Sequence, residues 1–468
     1  MSSSNFRSRV QQPRSSSELA PPSAPSIPGS RQWPVLGHPG ALRGLLPFME
    51  RQQALHGDIF RMRVLRFRAI GLAHPEHMQH VLLGQRANYV KGDTYDSTRN
   101  ILGDGLLTLD GPAWKGRRAL AQPAFHRQAL ERLAAIMSES GARFFAALSA
   151  RVTPDGQVLD AHREMVKLTL EVVIASLFGA GTLDSGEVSY QALGDALELL
   201  SEGVNGVRLP DWIPTPHNRK FKRTVRELDR NVYQIIEAGR ALSTSNGSLL
   251  SMLLDARDGD GNALPNKAVR DEVITMFVAG HETSALTLTW LFTLLAGRQD
   301  VLNRMQEEVE RVLGGRDPRF DDLPQLVYVR QVIDETLRLR PAAPMIARNA
   351  LGDDQLGQYA VRAGEIVLPF FWGLHRHPDY WSAPQRFDPD RFAPEHAKTR
   401  HPWCYLPFSG GPRSCIGNMF ALTEMTIMLA QLLNRFELAV LPCDDVKPVA
   451  IGTTRPSKPV YVKFTPRR

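Results

Sequence analysis

Towards the C-terminal end of this 468-residue chain, Phe408-Ser-Gly-Gly411-Pro-Arg413-Ser-Cys415-Ile-Gly417 sets a cysteine among glycines, two residues after an arginine. An apolar, helix-compatible run, residues 419–433, follows at once. A cysteine just before a helix start meets the positive end of the helix dipole, which favours the thiolate. Backbone N–H groups left over at that start can hydrogen-bond the sulfur. Glycines take positive φ and let backbone approach a flat ligand closely. Arg413 is a permanent cation able to hold a carboxylate such as a haem propionate, and Phe408 can cover the sulfur from water. These parts suit a thiolate ligand to haem iron. The plain alternative is a buried cysteine in a glycine-rich turn, since most free cysteines are buried.

A second candidate lies mid-chain. From Asn266, after Pro265, a helical pattern continues to about Ala296, roughly 30 residues or 45 Å of helix. Near its middle stands Ala279-Gly280-His281-Glu282-Thr283-Ser284. Gly280 leaves room for a flat ring and dioxygen. Thr283 can bond a carbonyl one turn back or turn its hydroxyl to a ligand. With Glu282 beside it, an acid and an alcohol can relay protons. Alone, glycine and threonine inside a helix usually mark a kink or close packing. Two further pairs have helical spacing. Glu335-Thr-Leu-Arg338 puts acid and base at i, i+3, commonly a surface pair of little energetic weight. Trp114-Lys-Gly-Arg-Arg118 puts an indole N–H and a guanidinium at i, i+4.

These residues need elements to hold them. Apolar positions recur at helical spacing over residues 128–151, 161–178 and 190–203, whereas 59–64, 70–73, 366–371 and 460–464 read as strands. Residues 246–265, rich in Asp and Gly, read as a loop. The pattern predicts a mainly α body with small β-sheets and excludes a doubly wound fold, which would alternate strand and helix. Residues 1–30, rich in Ser, Pro and Arg, are expected to be a disordered tail, with one domain over 31–468.

Composition sets limits. Hydrophobic content of 43% with 22% charged residues is ordinary for a globular protein. Cys404, Cys415 and Cys443 are too few for a disulfide scaffold, and no spacing reads as a zinc pair, so a reducing, cytoplasmic setting is expected. The net charge of +7 is dispersed and accompanies no nucleic-acid motif, so nucleic acid is not expected as a partner. The most apolar run, 285–296, is too short for a ~20-residue span, and the start has no signal-peptide core, so no membrane anchor is expected.

The cysteine loop resembles the haem-ligand signature of the cytochrome P450 superfamily: Phe408, Gly411, Arg413, Cys415 and Gly417 match all five fixed positions. A chance match in such a chain is on the order of one in ten thousand. Ala279–Thr283 is similar to the family's oxygen-activation motif. The Glu335/Arg338 pair resembles its invariant pair on the helix before the haem loop, with Arg391 in Pro389-Asp390-Arg391-Phe392 as third partner. Trp114 and Arg118 resemble a propionate clamp, and Arg348 matches a further propionate position; Lys91 is a weaker candidate. The resemblance, from about Pro34 to the C-terminus, implies the P450 fold with haem b, iron protoporphyrin IX with an axial thiolate, between two long helices. It implies proton delivery by Glu282 and Thr283, an oxygen-binding groove at Ala279 and Gly280, iron ligation by Cys415, and a buried network of Glu335, Arg338 and Arg391.

Family pocket segments map to 93–107, 199–212, 277–280, 342–346 and 452–454, where Leu106, Leu199, Val204, Phe277, Ala343, Met345 and Ile346 are apolar. The expectation is a monomeric monooxygenase acting with O2 on a hydrophobic small molecule, such as a terpenoid, fatty acid or other secondary metabolite. Arg208 and the basic run 219–223 could meet a carboxylate, though such runs are usually solvated. The chain ends 53 residues after Cys415, so electrons are expected from a separate ferredoxin or flavodoxin with an NAD(P)H-dependent reductase. Lys115, Arg117 and Arg127 are the expected docking cations. An isomerase, a peroxide-driven enzyme and a non-catalytic haem protein remain alternatives.

Overall fold

The computed structural model describes residues 25–34, 37–65, 67–179, 215–241 and 247–467. The expected helix over 190–203, the pocket segment 199–212 with Leu199 and Val204, and Arg208 lie outside the described residues. Order begins before the expected boundary at residue 31. Ile27 is buried, and the Pro28 carbonyl accepts the Arg61 N–H at 2.7 Å.

The principal helices are α1 (Leu45–His56), α2 (Gly111–Ala121), α3 (Arg127–Arg151), α4 (Ala161–Phe178), α5 (Pro216–Ala241), α6 (Leu249–Asp255), α7 (Asn266–Leu295), α8 (Gln299–Leu313), α9 (Val327–Leu339) and α10 (Asn418–Arg435). Helix α7 runs through the centre, packed on α4, α5, α9 and α10. It is buried on most sides, as an axial helix must be, so its sequence lacks a broad polar face. Helix α6 falls inside the expected loop. Its apolar Leu249-Leu-Ser-Met-Leu-Leu254 is capped by Ser248, whose Oγ accepts the Ser251 N–H at 3.2 Å. The Asp- and Gly-rich composition that suggests a loop belongs to the residues after it.

The largest sheet has five strands in the order Ile59–Val64, Phe67–Leu72, Ile366–Pro369, Arg348–Ala350, Tyr89–Val90. Pairing Arg348 with Val367, and ending at Val90, brings Arg348 and the adjacent Lys91 to one rim of the body. A three-stranded sheet and two hairpins complete the fold. Among the described residues no helix is long and apolar enough to cross a membrane.

Behind the cysteine loop lies a charge network with no solvent access. Arg338 and Glu335 are both 0% exposed. Two parallel bonds join them, Nε to Oε2 at 2.6 Å and Nη2 to Oε1 at 2.7 Å. Arg338 also donates to the carbonyls of His375, Pro384 and Arg386. Glu335 accepts the Asp388 N–H at 2.9 Å, and Arg391 Nε lies 3.5 Å from its Oε1. The surface-pair alternative is thereby excluded. Removing one buried partner leaves the other charge uncompensated, at about 3–5 kcal/mol. Glu335→Ala should therefore lower stability by that order and abolish haem incorporation. Full haem occupancy in the purified variant, measured as the ratio of Soret to protein absorbance, would refute this.

Candidate active site

A cavity of about 360 Å³ opens between α7 and α10, with the cysteine loop as one wall. Within the loop, Gly411 has φ +70°, and a Cβ there would lie 2.1 Å from the Leu82 carbonyl oxygen. This glycine admits a neighbouring chain segment, not the flat ligand expected from sequence. Gly417 lines the cavity; a Cβ there would meet only Phe125, at 3.7 Å. Its N–H bonds the Cys415 sulfur, and its carbonyl accepts the Ala421 N–H at 2.9 Å as α10 begins. The Cys415 N–H in turn bonds the Phe408 carbonyl at 2.9 Å, and both side chains face the cavity. Burial among protein atoms raises the Cys415 thiol above its ordinary value, while the Gly417 N–H and Arg118 pull it down. A bound metal cation facing the sulfur would favour the thiolate further.

Three cations converge at one end of the cavity. Arg413 stacks 4.4 Å over the Trp114 ring, pairs with Asp110 at 2.6 Å and bonds the Leu109 carbonyl. Arg348 and Lys91 are each 5% exposed. Lys91 is pushed down to about 7, by burial first and then by Arg413 and Arg348. Arg118 stands apart from this group, bonded to the Ser414 carbonyl at 2.9 Å and to Gln122. It braces the cysteine loop from the cavity wall. Positive charge so poorly compensated in a dry site fits a dianionic group, and the thiol at the cavity wall fits an iron ligand. The residues present therefore suit haem. Lys91, Arg348 and Arg413 would face its carboxylates, and Cys415 its metal.

The α7 wall is set by helical period. Thr275, Met276, Ala279, Gly280, Thr283, Ser284 and Thr287 line the cavity, and residues three to four apart share a face. A Cβ on Gly280 would come within 3.3 Å of Val173, so the groove there is narrow. Thr283 Oγ1 donates to the Ala279 carbonyl at 2.7 Å. Glu282, one residue earlier, points elsewhere: it pairs with Arg455 and accepts the Thr453 hydroxyl at 2.8 Å. The expected acid–alcohol pair is thus not assembled at the cavity: the cavity-facing arc runs through 276, 279, 280, 283, 284 and 287, and position 282 falls outside it. Phe277 also turns away and stacks on buried His281 with centroids 6.0 Å apart. Met345 packs in a separate core cluster, and 453–454 serve Glu282 and the Trp290 indole rather than the cavity.

Sequence reading missed Ser284 and Glu424. Ser284 lines the cavity, and its Oγ lies 2.5 Å from Glu424 Oε2 on α10. Burial pushes the Glu424 carboxyl up to about 8, with only the Ser284 hydroxyl opposing. An acid in the apolar run 419–433 was the available signal. The expected docking residue Arg117 is also reassigned. It points inward to Glu272, at 3.2 Å, and to the Ala268 carbonyl. Lys115 and Arg127 are exposed. Among the described residues no cluster of three or more His, Cys, Asp or Glu could hold a metal ion.

With this geometry in place, comparison with known proteins is informative. The family model "Cytochrome P450" matches residues 27–464. The chain belongs to the cytochrome P450 family and is a haem-thiolate monooxygenase. It is 34% identical to pentalenene oxygenase of Streptomyces avermitilis, over 93% of this chain and 96% of that protein. It is also 34% identical to cyclooctat-9-en-7-ol 5-monooxygenase of Streptomyces melanosporofaciens, over 90% and 92%. Among solved structures, the haem domain of cytochrome P450DA superposes with a TM-score of 0.85 at 28% identity, covering 95% of this chain and 98% of that one. Retinoic-acid-bound cyanobacterial CYP120A1 shares the fold, with a TM-score of 0.84.

Two outcomes test the site. Cys415→Ser should abolish the red-shifted Soret band of the dithionite–carbon monoxide complex; an unchanged spectrum would remove Cys415 as ligand. Glu424, neutral up to about pH 8 when folded and ionised above about 4.5 when unfolded, favours the fold less as pH rises across that window. The holoprotein Tm of Glu424→Gln minus that of the unaltered protein should therefore rise from about pH 5 to about pH 8. A difference independent of pH would show that the carboxyl is not held neutral.

Proposed function

We propose that this protein inserts one atom of O2 into an apolar, terpenoid-like small molecule, using haem b and electrons from a separate iron–sulfur or flavin carrier. The carrying observation is the cavity away from its cationic end. Leu106, Val173, Leu177, Leu249, Ala343 and Ile346 line it, and among the described residues no acidic side chain does. Such a pocket holds a ligand by shape and apolar burial, at roughly 25 cal/mol per Å² removed from water. Pentalenene and cyclooctat-9-en-7-ol, the molecules named in the two relatives, are of this polycyclic apolar kind.

Haem, when bound, supplies the iron at which dioxygen is reduced. The chain's own residues do the rest. Cys415 would ligate that iron and donate charge to it, with the Gly417 N–H and Arg118 beside the sulfur to temper the donation. Lys91, Arg348, Arg413 and Trp114 hold the propionate end, while Arg118 fixes the cysteine loop. Gly280 and Ala279 keep the α7 groove open, and the Thr283 hydroxyl, whose proton rests on the Ala279 carbonyl, would accept from a water in the cavity or turn to donate there itself. Ser284, with neutral Glu424 behind it, is a second hydroxyl on the same face. Exposed Lys115 and Arg127 support docking of an acidic carrier, and the free cysteines support a reducing cytoplasm.

Polycyclic sesquiterpene and diterpene hydrocarbons should displace water from the ferric iron, seen as a blue shift of the Soret band. Product should require dioxygen with reductant. Turnover with peroxide alone would favour a peroxide-driven enzyme instead. Thr283→Ala should keep that shift but lower product per electron consumed by about a hundredfold, the low end of the range for lost acid catalysis. Unchanged coupling would remove Thr283 from proton delivery.

A further inference from the structure

The loop over residues 103–108 lies against the N-terminal half of α7 with no side chains between. A Cβ on Gly103 would sit 2.2 Å from Asp271 Oδ1, and one on Gly105 would sit 2.3 Å from Thr275 Oγ1. The loop is bonded through its backbone. Asp104 N–H donates to Asp271 Oδ2 at 3.0 Å, and Leu106 N–H donates to Glu272 Oε2 at 3.2 Å. Thr108, fully buried, bonds the Gly103 carbonyl at 2.6 Å and closes the loop on itself.

Leu106 is held from both sides. Its carbonyl accepts Lys91 Nζ at 2.8 Å, and Lys91 belongs to the cationic end of the cavity. Glu272 is 0% exposed, and its other oxygen is taken by Arg117, which is itself tied to α7 through the Ala268 carbonyl. One peptide unit is thus gripped by a buried carboxylate and a buried amine. Leu106 cannot shift without leaving Glu272 Oε2 or the Lys91 amine short of a hydrogen-bond partner, which a buried polar group resists. The Leu106 side chain lines the cavity opposite the cysteine loop's partner helix, beside Thr275 and Met276.

We propose that Glu272 is the positioning residue that sets which molecules fit: it fixes Leu106 over the cavity and so defines the cavity's shape above the cofactor. This goes beyond the oxygenase reading but rests on the cavity being the ligand pocket. The argument needs no particular substrate, so its test uses iron-binding azoles.

The test compares haem-loaded Glu272→Ala with a double variant, Arg117→Met with Glu272→Leu, which exchanges the buried ion pair for apolar side chains of similar length. Imidazole probes iron access alone, and 4-phenylimidazole probes the shape above it. Each affinity is read from the shift of the Soret band. In both variants the ratio of the two affinities should change by about tenfold, the scale of one lost charged hydrogen bond. Backbone hydrogen exchange over 103–109 should accelerate by at least that factor, with exchange in α10 unaltered. Glu272→Gln, which keeps an acceptor for the Leu106 N–H, should stay within about threefold on both measures. If the double variant binds both azoles and exchanges as the unaltered protein does, the proposal is wrong, however Glu272→Ala behaves. Failure of every terpenoid to bind, with the azole and exchange results as expected, would instead count only against the substrate class.

Discussion

The constraint on which this structure depends is holding a sulfur as an anion in the wall of a mostly apolar cavity. Burial raises the Cys415 thiol, and the groups beside it recover only part of that cost: one N–H from Gly417 and one guanidinium from Arg118. The sulfur is a thiolate when a metal cation faces it, so site and cofactor form together. The local backbone follows from this need. The Phe408 carbonyl takes the Cys415 N–H, Arg118 holds the Ser414 carbonyl, and α10 starts three residues on. Behind the loop, the Glu335/Arg338 grip keeps His375 and the 384–388 segment in place.

A single helix then performs several unrelated tasks by turning them to different sides. Around α7, residues at three- and four-residue spacing give a cavity face of glycine, alanine and hydroxyls. Phe277 and His281 fill the packed side, and Glu282 turns to a hairpin arginine. The first turns carry Asp271 and Glu272 to the loop that roofs the cavity. Adjacent residues serve separate structures because a helix separates them by about 100°.

That angular separation also explains what could be read in the sequence. The cysteine loop is contiguous and Glu335/Arg338 is an i, i+3 pair, so spacing alone showed both, whereas Lys91, Arg348 and Arg391 come from distant segments and were named only through the family resemblance. Strand and helix positions in the body were legible for the same reason, as periodic apolar runs. What failed was inference from adjacency. Glu282 beside Thr283, and Phe277 inside a mapped segment, are neighbours in chain order but not in direction. Arg117 reads as a surface cation until its partner, 155 positions away, is known. Ser284 and Glu424 are likewise joined only by packing of α7 on α10. Helix α6 was hidden because a seven-residue apolar run borders a stretch of Asp and Gly whose composition dominates any window.

The cationic end of the cavity carries the argument from site to folding. Lys91, Arg348 and Arg413 come from three distant segments, and burial, with repulsion from Arg413 and Arg348 added, pushes the Lys91 amine down to about 7. Asp110 pairs with Arg413 and compensates only part of this charge. A dianion bound there removes the repulsion and binds only the folded state, so its affinity adds directly to stability. Lys91 also holds the Leu106 carbonyl. The amine that would face a haem carboxylate is therefore the one that holds the Leu106 peptide beside the cavity.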